Sequence, residues 1–206
     1  MDEARGVREF WFGRLPLSAE DLNRRLPFWF AGPPSELGRL RDEHIRERFG
    51  ALLERAASGA LGRWENGPRR RLSLILLLDQ FPRNMFRGTA RAFAYDARAL
   101  ALTLSGLQSG ADAALDPVER MFFYMPLQHA ESPEVQDESV AAYRRLLAEA
   151  PQPLYGPFAA AARSAENHRA IIERFGRFPH RNRALGRENT PAEEVWLLEA
   201  RVSFGQ

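Results

Sequence analysis

Apolar residues recur along most of this chain at the spacing of one face of an α-helix. Between residues 35 and 58, for example, Ile45, Phe49, Leu52 and Leu53 lie one, three or four positions apart, and side chains at such positions share a helical face. No pair of alternating apolar and polar runs flanks a tight turn, as the strands of a hairpin would. We therefore predict an all-α protein of about eight helices. They are expected over residues 3–12, from 18, and over 35–58, 69–81, 89–105, 116–125, 132–150 and 157–175, with a last short helix from 190 onward.

Residues that start and stop helices stand at the predicted boundaries. Ser, Thr and Asp side chains accept hydrogen bonds from the first free N–H groups of a helix, and proline is favoured at the first helical position. Glycine commonly ends a helix. N-caps are predicted at Ser18, Asp116, Ser132 and Thr190, and helix ends at Gly13, Gly59, Gly106, Gly110 and Gly176. The segment Gly32-Pro33-Pro34 is expected to close an aromatic stretch that follows the second helix.

The longest apolar run, Leu74 to Leu78, is followed directly by the polar residues Asp79 and Gln80. The run has no polar face for about two helical turns, which predicts a helix at the centre of the core. A buried strand is the alternative for a run of this length. Leucine favours helix over strand and the neighbouring segments are helical, so the helix is preferred.

Three segments share one layout, in which an apolar helical run meets a proline and then a polar cluster. Because proline lacks an N–H and clashes with the preceding turn, it is expected to bend or end each helix. If the three helices pack side by side, the three polar clusters converge. The segments are LILLLDQFPRN at 74–84, MFFYMPLQHAE at 121–131 and IIERFGRFPHRN at 171–182.

The converging side chains are suited to acid–base chemistry on an anion. Asp79 and Arg83 are one helical turn apart and can pair. A neutral histidine beside a carboxylate is common equipment for general acid–base catalysis, and guanidinium groups bind phosphate and carboxylate. The candidate catalytic residues are His129 and Glu131. The candidate ligand-binding residues are Asp79, Gln80, Arg83, Asn84, Arg87, His168, His180, Arg181, Asn182 and Arg187.

Structural roles remain open for the same residues. Asp79 with Arg83, and Glu131 with an arginine, are also typical of ion pairs that clamp helix ends, and His168 falls on a core-facing stripe. The side chains needed for a metal site are present in His129, Glu131, His168 and His180. Their wide separations in the sequence match no metal-binding signature, so no metal is predicted. Phosphate-binding loops, zinc-protease motifs and serine-hydrolase elbows are absent from the sequence.

Composition places the chain among soluble globular proteins. Its 206 residues suit one domain, 1–206, and it contains no cysteine. All 29 basic residues are arginine and the net charge is only +2, so nucleic acid is not expected as a partner, although the run Arg69-Arg70-Arg71 is a local exception. The sequence has neither the pattern of a signal peptide nor a run of apolar residues long enough to span a membrane, which predicts a cytoplasmic protein.

Several long motifs resemble the bacterial domain-of-unknown-function 924 family. They are LLDQFPRNMFRGTARAF (77–93), ERMFFYMPLQHAES (119–132) and IIERFGRFPHRNRALGR (171–187), with FWFG (10–13), RFGALLERAASGALGRW (48–64) and TPAEEVWL (190–197). The resemblance implies an α-helical fold similar to tetratricopeptide repeats, although the sequence itself shows no repeat. It brings no activity, substrate or cofactor. The matching polar residues are Asp79, Gln80, Arg83, Asn84, Arg87, His129, Glu131, His168, Arg181, Asn182 and Arg187; Ala130 stands where the family more often has serine.

Two functions compete at this point. The first is a protein that binds a small anionic ligand in the pocket of Arg, His, Asp and Asn side chains; whether it is also an enzyme stays open, and the cofactor is unknown. The second is a protein-interaction module of helical-repeat type with an exposed groove near Trp29, Trp64 or Trp196. The first requires Arg83 and Arg181 to lie together, whereas the second requires exposed tryptophans.

Overall fold

The structure is a computed structural model that describes residues 2–30 and 35–200, without the side chain of residue 200. Every regular element in these residues is helical, and none of them is in a strand, which confirms the all-α prediction. Gly32-Pro33-Pro34, predicted to close the aromatic stretch, lies outside the described residues. No described helix is both long and apolar enough to cross a bilayer.

The predicted helices are present, but several are divided into shorter pieces. The α-helices are α1 (Glu3–Phe12), α2 (Ala19–Phe30), α3 (Glu36–Ala57), α4 (Pro68–Ile75), α5 (Phe81–Met85), α6 (Asp96–Gln108), α7 (Pro117–Phe123), α8 (Met125–Gln128), α9 (Pro133–Ala148), α10 (Tyr155–Phe175), α11 (Asn182–Leu185) and α12 (Pro191–Ala200). Short 3-10 turns cover Gly62–Asn66, Ala90–Phe93, Ala111–Ala114, Gln152–Leu154 and Pro179–Arg181, and a π-helical turn covers Leu76–Gln80.

The predicted helix starts agree with the structure. Asp116 and Glu119 form a complete capping box at α7, and Ser132 accepts from the Val135 N–H at α9. Thr190 and Glu193 exchange hydrogen bonds at the start of α12. These local side-chain bonds satisfy N–H groups that no helical carbonyl can reach, which is why they mark boundaries reliably.

Gly106 does not end a helix, contrary to the sequence prediction. The segment expected as one helix over 89–105 is a 3-10 turn followed by α6, and α6 continues to Gln108. A Cβ atom at Gly106 would lie 2.5 Å from Cζ of Phe123. The glycine is therefore needed for close packing against α7, and its lack of a side chain has nothing to do with helix termination here.

The central apolar run is helical, and its proline does not stop the chain from continuing. The strand alternative for Leu74–Leu78 is excluded, because α4 passes through the π-helical turn into α5. In that turn the N–H of Phe81 donates to the carbonyl of Leu76, five residues back. Pro82 then occupies the first turn of α5, where a missing N–H costs little. Pro126 and Pro179 likewise sit in the first turn of a new element, not at the end of an old one.

One contiguous hydrophobic core surrounds this central run. Leu74 to Leu78 and Phe81 are almost completely buried, and α4, the π-helical turn and α5 pack against α1, α3 and α6. The helices α9 and α10 pack along each other, a stacked pair of the kind that the resemblance implies, while the wider similarity to tetratricopeptide repeats stays a prediction. A small second cluster joins Ile171, Ile172 and Phe178 to Phe175 and Trp196.

The two aromatic triplets near the N-terminus contribute rings to the core. Trp11, Phe12 and Trp29 are buried and meet the ring of Phe122, and the indole N–H of Trp29 donates to the carbonyl of Trp11 at 2.8 Å. Edge-to-face contacts of this kind add to the burial of the ring surfaces themselves. They hold α1 and α2 against α7.

Candidate functional site

Side chains from all three predicted clusters meet in one region of the molecule. Asp79 and Arg83 come from the π-helical turn and α5, His129 follows α8, and Arg181 ends the 3-10 turn at Pro179–Arg181. Asp96, at the start of α6, connects the first cluster to the third, because it binds both Arg83 and Arg181. We call these five residues the Asp96 centre.

His129 and Asp79 form a hydrogen-bonded dyad. Nδ1 of His129 lies 2.7 Å from Oδ1 of Asp79. Asp79 is completely buried; burial raises the pKa of this carboxyl, but the charge of Arg83 and the bond with His129 outweigh that effect and hold the pKa below its usual value. An ionised Asp79 can only accept, so Nδ1 of His129 must carry the proton and donate.

The far side of the His129 ring is available. Its Nε2 atom makes no hydrogen bond with any described residue, and the side chain is 16% exposed. Burial and the nearby charge of Arg83 lower the pKa of His129, so the ring is neutral near pH 7. A neutral imidazole whose Nδ1 donates to a carboxylate presents an Nε2 lone pair that can accept a proton.

Arg83 is tied to two carboxylates. It makes a bidentate pair with Asp96, with both N–O distances at 2.8 Å, and donates to the backbone carbonyl of Asp79 at 2.7 Å. Its guanidinium also lies 3.3 Å from Oδ1 of Asp79. These contacts fix the orientation of the guanidinium and offset the cost of burying it.

Arg181 is compensated less well than Arg83. Its Nη1 lies 3.3 Å from Oδ2 of Asp96, and its buried Nε has no hydrogen-bond partner among the described residues. The guanidinium is held between the rings of Phe93 and Phe178. Burial, together with the charge of Arg83, lowers the pKa of Arg181 to about 10. The nearby carboxylates therefore compensate the burial of Arg181 only in part.

Two further histidines border the centre. The ring of His168 lies 6.4 Å from that of His129, and Phe178 contacts both His168 and His180. Burial lowers the pKa of His168 to about 4 and, with the charge of Arg181, that of His180 to about 3. Nδ1 of His168 lies 2.7 Å from the carbonyl of Ser164. Both rings are neutral over the physiological range.

Glu131 has a different neighbourhood from the one expected of a catalytic partner for His129. Its carboxylate accepts from the backbone N–H of Phe178 at 2.8 Å and pairs with both terminal nitrogens of Arg187. These bonds lower its pKa although partial burial opposes that shift. Glu131 and Arg187 therefore hold the segment that carries Arg181 in place, and Asp79 takes the carboxylate position beside His129.

Asn84 and Arg87, two predicted ligand-binding residues, point toward α3. Arg87 pairs with Asp42 and donates to the side-chain oxygen of Asn84 at 2.8 Å. The amide of Asn84 in turn donates to the carbonyl of Gln80 at 2.7 Å. The side chain of Gln80 does reach the centre, where it donates to Oδ2 of Asp79.

Asn182 is also directed away from the centre. Its amide nitrogen contacts Asn189 at 2.8 Å and Glu193 at 3.4 Å. Glu193 makes a bidentate pair with Arg177 and accepts the N–H of Thr190, which lowers its pKa to about 2. These contacts attach α12 to the loop after α10.

Comparison with known proteins decides the family. The model of a family described as bacterial protein of unknown function, DUF924, matches residues 7–201. The chain belongs to the DUF924 family. It is also similar to a solved structure, a protein of unknown function from Agrobacterium tumefaciens, at 35% identity and a TM-score of 0.79 over 96% of this chain and 97% of that one. No curated protein matches.

Within this DUF924 chain, the residue that sequence reasoning missed is Asp96. It lies outside all three proline-containing segments and has the pattern of an ordinary acidic residue in the first turn of a helix. A search for carboxylates able to neutralise Arg83 and Arg181 together would have raised it as a candidate. Its two contacts are what join the first and third segments.

Neither a metal site nor a tryptophan-lined groove is formed by the residues that the structure describes. No three of their histidine or carboxylate side chains are arranged to hold a metal ion, so His129, Glu131, His168 and His180 do not form a ligand set. Trp29 is buried, and Trp64 and Trp196 are half-buried against apolar neighbours. The exposed tryptophans expected of an interaction module are therefore not found at these three positions.

Proposed function

We propose that this protein binds a small anion, bearing phosphate or carboxylate, at the Asp96 centre, and that His129 accepts a proton from the ligand or from a water beside it. The observation that carries the proposal is the sharing of one carboxylate, Asp96, by the two guanidinium groups of Arg83 and Arg181 next to the unbonded Nε2 of His129.

The charge distribution supports anion binding. Arg83 is neutralised by its bidentate contact, but Arg181 has one long bond to Asp96 and a buried Nε without a partner among the described residues. An anion placed against Arg181 would supply the missing acceptor and restore its usual pKa. The three nearby histidines are neutral, so the positive charge that would attract the ligand comes from the arginines alone.

The orientation of His129 supports the proton-accepting role. Asp79 holds the ring in the tautomer that leaves Nε2 free, and the low pKa of His129 keeps that atom unprotonated at neutral pH. This is the arrangement in which a histidine acts as a general base. In this proposal Asp79 and Gln80 are positioning residues, and Glu131 and Arg187 position the segment of Arg181.

Thermal-shift measurements with inorganic phosphate, pyrophosphate, acetate and citrate test the binding step. A ligand at about 100 times its Kd stabilises a protein by about 2.7 kcal/mol, which raises the Tm of a chain of this length by about 5–10 °C. At least one anion should do so with the natural sequence and with Arg169→Gln, an exposed control on α10. Arg181→Gln should lose the response.

Nuclear magnetic resonance of the histidine rings gives a second measurement that does not require a variant to fold. The bound anion should move the His129 ring signals and raise the pKa of His129 by placing negative charge beside it. The proposal is wrong if no anion in the panel changes either the Tm or the His129 titration.

A further inference from the structure

A second region rich in arginine lies at the junction of α1, α4 and α7. A cavity of about 810 Å³ opens there. Its charged lining consists of Arg5, Arg8, Glu9, Arg14, Arg69 and Glu119. We call it the Glu119 cavity. It shares no residue with the Asp96 centre.

The base of the cavity is a buried carboxylate with two guanidinium groups. Glu119 is completely buried and accepts from the backbone N–H of Asp116 at 3.1 Å. Nη1 of Arg8 lies 3.3 Å from one of its oxygens, and Nε of Arg69 lies 3.9 Å from the other. The carboxylate brings both guanidinium groups to the same wall.

More positive charge faces the cavity than these contacts neutralise. Four arginines and two glutamates line it. Arg5 is paired with Glu9 at 2.6 Å, whereas Arg14 makes no hydrogen bond or ion pair with any described residue. Nε of Arg8 is buried and has no hydrogen-bond partner among those residues. The lining thus offers unused guanidinium donors at two places.

The neighbouring surface extends the positive charge. A second cavity of about 710 Å³ shares Arg14 and adds Arg25 and the ion pair of Arg24 with Asp21, and a third of about 470 Å³ shares Arg69 and adds Arg63 and Arg70. Arg71 is different, because it donates inward to the carbonyls of Leu102 and Glu65. The basic run in the sequence is therefore divided between the surface and the interior. The net charge of +2 for the chain conceals this local concentration.

We propose that the Glu119 cavity binds an oligophosphate, either pyrophosphate or the phosphate chain of a nucleoside di- or triphosphate. Several guanidinium groups around one concavity suit a ligand with adjacent phosphate groups, since each group can accept paired N–H bonds. The volume is in the range of pockets for small ligands. A flat lipid surface would not reach Arg8 at the base of the cavity, where its side chain is 19% exposed.

Isothermal titration of pyrophosphate and of adenosine triphosphate, without magnesium, tests this proposal with the whole chain. Both ligands should bind, and Arg14→Gln should weaken both by about tenfold or more, the effect of losing a charged hydrogen bond. Arg14 has no bond to a described residue to lose, so this variant should fold. Arg144→Gln, which removes an exposed pair with Glu166, is the matched control and should bind like the natural sequence.

The same titrations separate this site from the Asp96 centre. The affinity that depends on Arg14 should be unchanged in Arg181→Gln, so loss of that affinity in Arg181→Gln would overturn the assignment to the Glu119 cavity. The proposal also fails if neither ligand binds at millimolar concentration, or if Arg14→Gln binds both normally. Tighter binding of a single-stranded oligonucleotide or of anionic phosphatidylglycerol vesicles than of pyrophosphate would overturn it in favour of that partner.

Discussion

The Asp96 centre and the Glu119 cavity each contain two arginines that share one carboxylate, but their surroundings differ. Arg83 makes two bonds of 2.8 Å with Asp96, and both Arg83 and Arg181 are buried. Around Glu119 the contacts are 3.3 and 3.9 Å, and the side chain of Arg69 is 65% exposed. Histidine rings adjoin the Asp96 centre, whereas none is among the described residues that line the Glu119 cavity.

This difference teaches what burial adds to the same pair of functional groups. Water screens the exposed arginines of the Glu119 cavity, Arg14 and Arg69, and no histidine among its described lining residues could exchange a proton with an anion. In the Asp96 centre the charges are desolvated, which shifts the pKa values of His129, His168 and Arg181. Clusters of shifted pKa values mark candidate functional sites. We therefore propose binding alone at the cavity and binding with proton transfer at the centre.

The largest expected effect comes from removing the shared carboxylate of the buried centre. Asp96→Asn leaves the buried Arg181 without its paired carboxylate and leaves Arg83 with Asp79 alone, and breaking a buried pair costs about 3–5 kcal/mol. Urea denaturation should show a loss of that order. Glu119→Gln should cost at least about 1 kcal/mol less, because Arg69 can turn to solvent. Equal losses in the two variants would contradict the contrast between the sites.

Acid should destabilise the centre through its histidines. The pKa of His168 is about 4 in the folded chain and about 6.5 when unfolded, so the unfolded state binds more protons between these values. The contribution of His168 to the free energy of unfolding is then fully present above pH 6.5 and falls by about 1.4 kcal/mol per pH unit, down to about pH 4. The pKa of Asp79 is lowered in the folded chain, so the contribution of Asp79 to the free energy of unfolding is lost only below this pH range.

Denaturation series between pH 7 and pH 4.5 check this expectation. His168→Asn should reduce the slope of the unfolding free energy against pH by about 1.4 kcal/mol per pH unit, which corresponds to one bound proton. His180→Asn should do the same, since its pKa is about 3. A slope that neither substitution changes would show that these rings are not held neutral by burial.

The smallest effect is expected at the Glu119 cavity. Arg8→Gln should cost less than Asp96→Asn at low salt, because it removes a single contact of 3.3 Å and leaves Arg69 beside Glu119. The cost should shrink further in 0.5 M sodium chloride, where charges are screened within about 4 Å. The cost of Asp96→Asn should change little with the same salt. Denaturation of both variants at the two ionic strengths gives the comparison directly.

The sequence predicted the parts of the site that depend on local pattern. The repeated layout of apolar run, proline and polar cluster led to Asp79, Arg83, His129 and Arg181, which the structure brings together. Arg87, another predicted ligand-binding residue, lies beyond the end of α5 at Met85. Because the chain leaves the helix there, helical spacing does not place Arg87 on the same face as Arg83.

Contacts between distant segments were not predictable in the same way. Asp96 and Glu131 take partners 85 and 47 residues away in the chain, at Arg181 and Phe178, and no local period encodes such pairings. Gly106 shows the same limit, because its packing against Phe123 depends on how two helices approach each other. The glycine pattern alone could not distinguish this use from the end of a helix.

The π-helical turn at Leu76–Gln80 sets the phase between α4 and α5. A turn with five-residue hydrogen bonding holds one residue more than an α-helical turn at the same place. The chain therefore enters α5 in the phase of a helix that is one residue shorter. If the same residues closed into a regular α-helix instead, every later side chain would rotate by about 100° relative to α4. Arg83 would then face away from Asp96 with the composition unaltered. Exchange of one leucine for another apolar residue is a change of packing, whereas loss of the π-helical turn with every residue kept is a change of phase, and only the second would dismantle the centre.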